Sequence, residues 1–253
     1  MKTLALTLAV GVVLAAPAAG APTQAWQPHV AAAVRYASQR HGSIAFAVRT
    51  RTGRWGWHAT RIFPAASVLK AMLLVAYLDL PSVRARALGS RDRALLGPMI
   101  RRSDNAAAGT VLGAVGPSRL RGLAHRAGMR RFTPVTEIWG LSRIDAADQA
   151  RYFFRIDSLV APSHRLYAMR LLRTITPAQR WGIAPVRPSG WRLYFKGGWG
   201  SGTGWVDHQV ALLTRGDERV SVAILTHLDG SHAYGKETLR GIAARLLRGL
   251  AVS

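Results

Sequence analysis

PAASVLKAM, residues 64–72, places a lysine inside an otherwise apolar run. The chain has 35 lysines and arginines, but only four of them are lysines, so a lysine at this position is unusual. No Gly or Pro interrupts Ala66 to Leu80, and Pro81 follows, so the run predicts a helix. Because helix positions three apart share a face, the Ser67 hydroxyl and the Lys70 amine are predicted to be neighbours.

This Ser-x-x-Lys pair is suited to nucleophilic chemistry. The apolar surroundings predict burial, and burial lowers the pKa of a lysine until its amine can act as a general base. A serine beside such an amine is an activated nucleophile, and free backbone N–H groups at a helix start can stabilise an oxyanion. The alternative is structural: Ser67 caps the helix, and Lys70 extends its amine to solvent.

Two further short motifs follow in the chain. Ser103-Asp104-Asn105 supplies a second hydroxyl and an amide, although Ser-Asp is also a good helix cap. Lys196-Gly197-Gly198 ends a strand-like stretch and could equally be a Gly-rich turn. Two of the four lysines therefore lie in these three motifs.

In this order and spacing, S-x-x-K, S-D-N and K-x-G resemble the signature of the class A β-lactamase-like family. They resemble the penicillin-binding proteins more loosely. The resemblance covers roughly Gln27 to Leu250, and it includes the lead-in Phe63 to Ser67 and the stretch Trp181-Gly182-Ile183.

The resemblance implies a covalent acyl-enzyme. It implies that Ser67 attacks a carbonyl of a β-lactam or peptide, and that Lys70 takes or relays its proton. Ser103 would pass a proton to the leaving nitrogen, Asn105 would hold the substrate amide, and Lys196 would supply positive charge to the substrate carboxylate.

The same resemblance assigns substrate binding to Gly198 and Trp199, with the backbone N–H groups of Ser67 and Trp199 as the oxyanion hole. Two positions depart from the family pattern. Gly197 stands where the family usually carries Thr or Ser. The family's deacylating glutamate has one candidate in the right region, Glu137, which lacks the Pro and Asn that usually follow; the alternative is a surface glutamate.

The segment pattern predicts the fold class. A hairpin is expected at 44–58, a mainly helical middle with breaks at Gly97-Pro98, Gly116-Pro117 and 133–141, then strands at 191–196, 206–214 and 219–226 and a helix at 237–250. Both chain ends would form one antiparallel sheet. We therefore expect an α/β fold of the α+β type, with a β-lactamase/transpeptidase-like sheet flanked by helices (22–65 and 177–253) and an all-helical lobe (66–176).

Residues 1–21 predict an export signal: Lys2, an apolar stretch, and small residues before Ala21. An uncleaved anchor is the alternative. Without cysteine, the chain has no disulfides, thiol nucleophile or thiolate metal site. No histidine spacing indicates a metal, and no glycine pattern indicates a nucleotide, so neither a metal nor a cofactor is expected.

The formal net charge is +23, with basic residues scattered rather than clustered. Anionic cell-wall polymers are therefore more plausible partners than nucleic acid, and we expect a monomer. Three functions remain open. The chain could be an exported serine hydrolase of β-lactams that confers antibiotic resistance. It could be a D-alanyl-D-alanine peptidase or other amide hydrolase of the penicillin-binding type, or a degenerate member that binds wall polymers without turnover.

Overall fold

The computed structural model describes residues 26–250, so the predicted export signal lies outside the described residues. The strands are β1 (Ser43–Arg49), β2 (Arg54–Trp57), β3 (Phe63–Pro64), β4 (Arg143–Ile144), β5 (Arg192–Gly200), β6 (Val206–Arg215) and β7 (Glu218–His227). Five of them form an antiparallel sheet in the order β2-β1-β7-β6-β5. A second, two-stranded sheet pairs β3 with β4.

Helices account for most of the remaining described chain. They are α1 (Val30–Ala37), α2 (Leu69–Leu78), α3 (Pro81–Arg84), α4 (Ser90–Arg101), α5 (Asn105–Ala127), α6 (Ala146–Phe154), α7 (Ile156–Leu159), α8 (Arg165–Arg173) and α9 (His232–Leu246). Short 3-10 turns include Ala66–Val68 and Trp139–Leu141. None of the helices in the described range is both long and apolar enough to span a membrane.

The main sheet joins the two ends of the chain, as predicted. β1 pairs with β7 along its whole length, and short turns make the pairs β1–β2, β5–β6 and β6–β7 antiparallel. α9 lies against β6 and β7, and Ser221 on β7 donates to the Ala150 carbonyl of α6 on the other face. β5 is an edge strand, and it contacts the 3-10 turn that carries Ser67. The expected α+β architecture is confirmed.

Helix α2 forms the centre of the core. All of its residues are buried, and it packs against α4 and α5. The predicted helix over 66–80 is confirmed, except that its first turn is a 3-10 turn and it ends at Leu78, two residues early. A helix that is apolar all round can only be stable when neighbours cover every face.

At three glycine-containing stretches the structure decides whether a helix or strand is interrupted. The expected break at Gly97-Pro98 is wrong, because α4 runs through both residues. Its buried side chains, including Met99 and Ile100, hold the helix in place although proline removes one backbone hydrogen bond. The break at Gly116 is confirmed, since its φ of 70° interrupts α5. Gly197–Gly200, which could have been a turn, continue β5.

Candidate active site

Ser67 lies in the Ala66–Val68 turn that leads into α2. Its side chain is nearly buried at 9% exposure, yet it lines a cavity that opens at the end of β5. The preceding Ala66 has a φ of 42°, in the left-handed region that residues with a Cβ rarely adopt. Such strain costs on the order of 1–3 kcal/mol and persists where surrounding contacts enforce it.

The Lys70 amine is fully buried and makes three hydrogen bonds. Nζ donates to the Ser103 carbonyl at 2.5 Å, to the Ser103 hydroxyl at 3.1 Å and to Asn105 Oδ1 at 2.7 Å. Burial lowers the pKa of Lys70 to about 8, and the nearby Asp104 carboxylate opposes that shift. Lys70 and Ser67 are one helical turn apart but are not hydrogen-bonded to each other in the described structure.

Ser103 lies between two lysines. Lys196, fully buried on β5, donates to the Ser103 hydroxyl at 3.1 Å and to the Gly197 carbonyl at 2.6 Å. Burial lowers the pKa of Lys196 well below its ordinary value, and the neighbouring Lys70 adds to the shift. The Ser103 oxygen therefore accepts hydrogen bonds from two amines, which occupy both of its lone pairs.

Ser103 and Asn105 take their positions from the junction of α4 and α5. Asp104 caps α5, and its carboxylate accepts a hydrogen bond from the Ala107 amide at 2.8 Å. Ser103 itself has a φ of 60°, which turns the chain sharply between the two helices. The helix cap predicted from Ser-Asp is therefore present at Asp104, and the residues on either side of it, Ser103 and Asn105, both bind the Lys70 amine.

Strand β5 approaches Ser67 closely because residue 198 is glycine. A Cβ at Gly198 would lie 2.9 Å from the backbone nitrogens of both Ser67 and Val68. Trp199 follows on the strand and lines the same cavity as Ser67. The structure thus brings Gly198 and Trp199 close to Ser67.

Gly197 has a different neighbour. A Cβ at this position would lie 3.2 Å from Cη2 of Trp181, whose ring packs edge-on against Trp199 at 5.7 Å between centroids. The indole of Trp181 therefore takes up space into which a threonine or serine side chain would extend.

Glu137 lies at the mouth of the cavity. Its side chain is exposed, and it accepts a hydrogen bond from the Thr136 hydroxyl at 2.9 Å. Backbone and side-chain hydrogen bonds lower its pKa. Glu137 lines the cavity together with Ser67 and Asn105, but the described structure contains no hydrogen bond from Glu137 to Ser67 or Lys70.

The cavity has a volume of about 360 Å³. Two segments contribute most of its lining, residues 137–140 and residues 199–203. Gly140 and Thr203 bring these segments together, since a Cβ on Gly140 would lie 3.1 Å from Thr203 Cγ2. An apolar side chain at the rim, Ile138, is 57% exposed. The pocket can therefore hold a small acyl group beside Ser67.

Sequence reasoning missed an aromatic layer around the site. Trp139 places its ring 4.9 Å from the Lys70 amine, measured to the ring centroid. Behind β5, His232 stacks on Trp199 with 5.8 Å between centroids. A tryptophan directly after Glu137-Ile138 was visible in the sequence, but only the fold shows that it faces Lys70.

A second unexpected cluster lies between β6 and α9. Asp207 and Asp229 are both buried, and their carboxyl groups lie near each other. Burial and the Asp229 carboxyl raise the pKa of Asp207 to about 8. His232 Nδ1 lies 2.6 Å from Asp207 Oδ1, so this carboxyl pair is connected through His232 to Trp199.

A sequence model described as the beta-lactamase enzyme family matches residues 91–250. This match spans more than half of the chain and includes Ser103, Asn105 and Lys196. The chain belongs to the beta-lactamase enzyme family. No match was found among curated proteins.

Solved structures of beta-lactamases and of PBP-A share the fold. A beta-lactamase from Sphaerobacter thermophilus DSM 20745 superposes with a TM-score of 0.75 at 19% identity, covering 88% of this chain and 97% of that one. An ancestral Gram-negative class A beta-lactamase superposes with a TM-score of 0.70 at 17% identity, covering 85% of this chain and 96% of that one. The structure of PBP-A superposes with a TM-score of 0.72 at 16% identity, covering 88% of this chain and 97% of that one. At these identities the similarity shows the fold.

Proposed function

We propose that this protein is a serine hydrolase of β-lactams that forms an acyl-enzyme at Ser67. The observation that carries the proposal is the convergence of the Lys70 and Lys196 amines on the Ser103 hydroxyl, with Lys70 one helical turn from Ser67. Two buried amines around one hydroxyl are costly for a fold, and they are useful where protons must be transferred.

The side chains of Ser67, Lys70 and Ser103 can carry out every proton transfer that acylation requires. The neutral Lys70 amine accepts the Ser67 proton while Oγ forms a bond to the substrate carbonyl carbon. The carbon–nitrogen bond then breaks, and the Ser103 hydroxyl gives its proton to the leaving nitrogen. Lys70, hydrogen-bonded to Ser103 at 3.1 Å, returns the proton to that hydroxyl. The pKa of Lys70, about 8, leaves part of the amine neutral at physiological pH.

The remaining groups position the substrate. Backbone N–H groups of Ser67 and Trp199 would stabilise the developing oxyanion. Asn105, which lines the cavity, would hold the acyl amide, and the buried charge of Lys196 would attract the substrate carboxylate. Gly197 provides no hydroxyl for that carboxylate, so drug affinity rests more heavily on Lys196.

Release of the acyl group needs a water molecule and a base. Glu137 is the candidate, because its carboxylate is at the mouth of the same cavity as Ser67. Its exposure and its hydrogen bond to Thr136 favour a second candidate function. In that function the enzyme acylates readily and deacylates slowly, like a peptidase of the penicillin-binding type whose natural substrate is a wall peptide.

A fluorescent penicillin followed by intact mass over time tests the proposal. The expected result is a Ser67-dependent adduct that disappears while hydrolysed drug accumulates. Ser67→Ala is the control and should form no adduct. Glu137→Gln should lengthen the adduct lifetime about a hundredfold if Glu137 is the general base.

Other outcomes discriminate between the candidates. An adduct that persists in the wild type, with no effect of Glu137→Gln, would favour the wall peptidase. Absence of an adduct at every drug concentration would contradict the β-lactam proposal.

We also propose that the protein is exported and that its positive surface favours anionic wall polymers as neighbours. Family membership supports export, and the formal charge of +23 supports the polymer. Binding of purified wall polymer that persists in Ser67→Ala and weakens with salt would show a binding function separate from catalysis. Binding that is absent at every salt concentration would argue against it.

A further inference from the structure

The Trp139 ring packs against the Lys70 amine, in addition to the acceptors that bind it. The three hydrogen bonds of the amine go to Ser103 and Asn105, and the indole of Trp139 lies 4.9 Å from Nζ. An ammonium group within about 6 Å of an aromatic centroid is attracted to the ring, most strongly when water is excluded. Lys70 has no exposed surface, so this condition is met.

The fold holds Trp139 in place through backbone pairing. The amide of Ser142 donates to the Trp139 carbonyl at 3.1 Å, and the Ser142 carbonyl in turn accepts from the Ala65 amide at 2.7 Å. β4 then pairs with β3, directly before the turn that carries Ser67. The strand pair therefore ties the indole to the same short segment as the serine.

We propose that Trp139 is a positioning residue that holds the charged Lys70 amine against Ser103 and Asn105 and shields it from water. The inference rests on the proposed role of Lys70 as the base for Ser67. Burial alone disfavours the ammonium form, while the aromatic face favours it. Because these two effects oppose each other, the pKa of Lys70 stays near physiological pH. A fraction of the amine is then neutral, while the ring keeps the charged fraction in place.

Other titratable groups near Lys70 also influence its pKa, and their influence must be distinguished from that of the Trp139 ring. Asp104, next to the hydrogen-bonding loop, favours the charged amine, and Lys196 on β5 disfavours it. Glu137 is on the same segment as Trp139 but is exposed. From α6, Tyr152 donates a hydrogen bond to the Ala71 carbonyl, and burial raises its pKa well above the ordinary value. These four groups are unchanged in the variants below.

Lysine NMR can test the inference directly, because the full chain contains only four lysines. The Lys70 side-chain carbon signal, assigned with Lys70→Arg, is followed against pH. Trp139→Leu keeps an apolar cover but removes the aromatic face, so the Lys70 midpoint should fall by roughly half to one and a half pH units. Trp139→Phe keeps a ring and should stay close to the wild type.

Two controls guard against indirect effects. Trp57→Leu removes an indole that stacks on His58 in the hairpin, and it should leave the Lys70 midpoint unchanged. Trp139→Met repeats the apolar replacement with a flexible side chain, in case the leucine variant does not fold. Wild-type midpoints in both the leucine and the methionine variants would overturn the proposal.

Kinetics then separate this inference from the proposed function. The acid limb of the acylation rate should move with the Lys70 midpoint, to lower pH in Trp139→Leu. If the wild type forms no Ser67-dependent adduct, the proposed function fails while the NMR titration still decides the role of Trp139. If the adduct forms and neither the titration nor the acid limb moves, Trp139 has only a packing role.

Discussion

Gly198 lies where the edge strand β5 passes closest to the turn that carries Ser67. The atoms that a side chain would meet are backbone nitrogens of Ser67 and Val68 and the Ala65 carbonyl oxygen, at 2.9, 2.9 and 3.2 Å from an added Cβ. Backbone atoms in a packed turn cannot rotate away as a flexible side chain can. The absence of a side chain at residue 198 therefore sets the distance between strand and serine.

Gly198→Ala should lower the free energy of unfolding by about 1–3 kcal/mol, because overpacking pushes β5 away from the turn. The rate of acylation by a fluorescent penicillin should fall as well. Urea unfolding and adduct formation measure the two effects. Gly113→Ala is the control, since its Cβ would meet nothing within 4 Å, and the exposed helix should gain about 1 kcal/mol. If Gly198→Ala had the free energy of unfolding and the acylation rate of the wild type, the packing argument would be contradicted.

Gly197 and Trp181 form a second coupled pair at the residue scale. Gly197→Thr alone should lose stability, because its Cβ would lie 3.2 Å from the Trp181 ring. Combined with Trp181→Leu, the same threonine has room, and its hydroxyl can bind a substrate carboxylate. The double variant should then bind a penicillin about tenfold more tightly than Trp181→Leu alone. Equal affinities, measured from the concentration dependence of acylation, would show that the hydroxyl does not reach the substrate.

At the scale of elements, the start of α5 combines a helix cap with the electrostatics of the site. Asp104 accepts the Ala107 amide hydrogen bond, and its charge favours the ammonium form of Lys70. One side chain thus stabilises a helix terminus and tunes the amine that we propose as base.

Substitutions can separate the two roles of Asp104. Asp104→Ser keeps a capping oxygen without the charge, so stability should stay nearly constant while the Lys70 pKa falls. Asp104→Ala removes both, so the free energy of unfolding should also drop by about 1 kcal/mol. Thermal unfolding and the lysine NMR titration provide the measurements. A Lys70 midpoint that is unchanged in both variants would exclude the charge effect.

The packing of β6 against α9 buries the Asp207–Asp229 pair. In the unfolded chain Asp207 ionises near its ordinary pKa of 3.8, whereas in the folded protein its pKa is raised to about 8. The folded state therefore binds an extra proton between these values, and stability falls as pH rises through this window. His208 has a pKa lowered to about 4 by burial, so its opposing contribution is complete above about pH 6.5.

Between pH 6.5 and 8, ionisation of Asp207 should therefore lower the stability of the wild type by up to about 1.4 kcal/mol per pH unit relative to Asp207→Asn. Asp207→Asn should remove that slope, because a neutral amide replaces the protonated carboxyl. Asp217→Asn, in the exposed turn between β6 and β7, is the control and should keep the wild-type slope. Urea unfolding at several pH values measures how the free energy of unfolding changes with pH. Equal pH slopes in wild type and Asp207→Asn would refute the argument that Asp207 is buried with a proton.

The whole molecule is dominated by positive charge. It has 35 basic and 12 acidic residues, so many arginines have no carboxylate to pair with. Mutual repulsion of this kind destabilises the compact state and is screened by salt. The core, with α2 at its centre, must supply the stability without disulfides.

Added sodium chloride, from about 10 mM to about 500 mM, should therefore raise the melting temperature, as screening shortens the range of repulsion. A neutral osmolyte at equal osmolality controls for non-electrostatic effects. A melting temperature that falls with salt would mean that favourable ion pairs outweigh the repulsion.

Much of the site could be predicted because three short motifs carry it. The spacing of Ser67 and Lys70, and of Ser103 and Asn105, is local, so a helix or a helix start already places each pair. The pattern also predicted the hairpin and the last three strands correctly. It failed at Gly97-Pro98, where tertiary packing of the buried residues in α4 outweighs the local preference of proline.

Local spacing and composition thus settled the family resemblance, the α+β architecture and the candidate nucleophile. The partners of Lys70 could not be obtained in this way. Ser103 is 33 residues from Lys70 along the chain, and Trp139 reaches the amine only because β4 pairs with β3. The raised pKa of Asp207 likewise depends on burial where α9 covers β6. Periodicity and motifs depend on near neighbours, whereas burial and charge coupling depend on which distant segments the fold brings into contact.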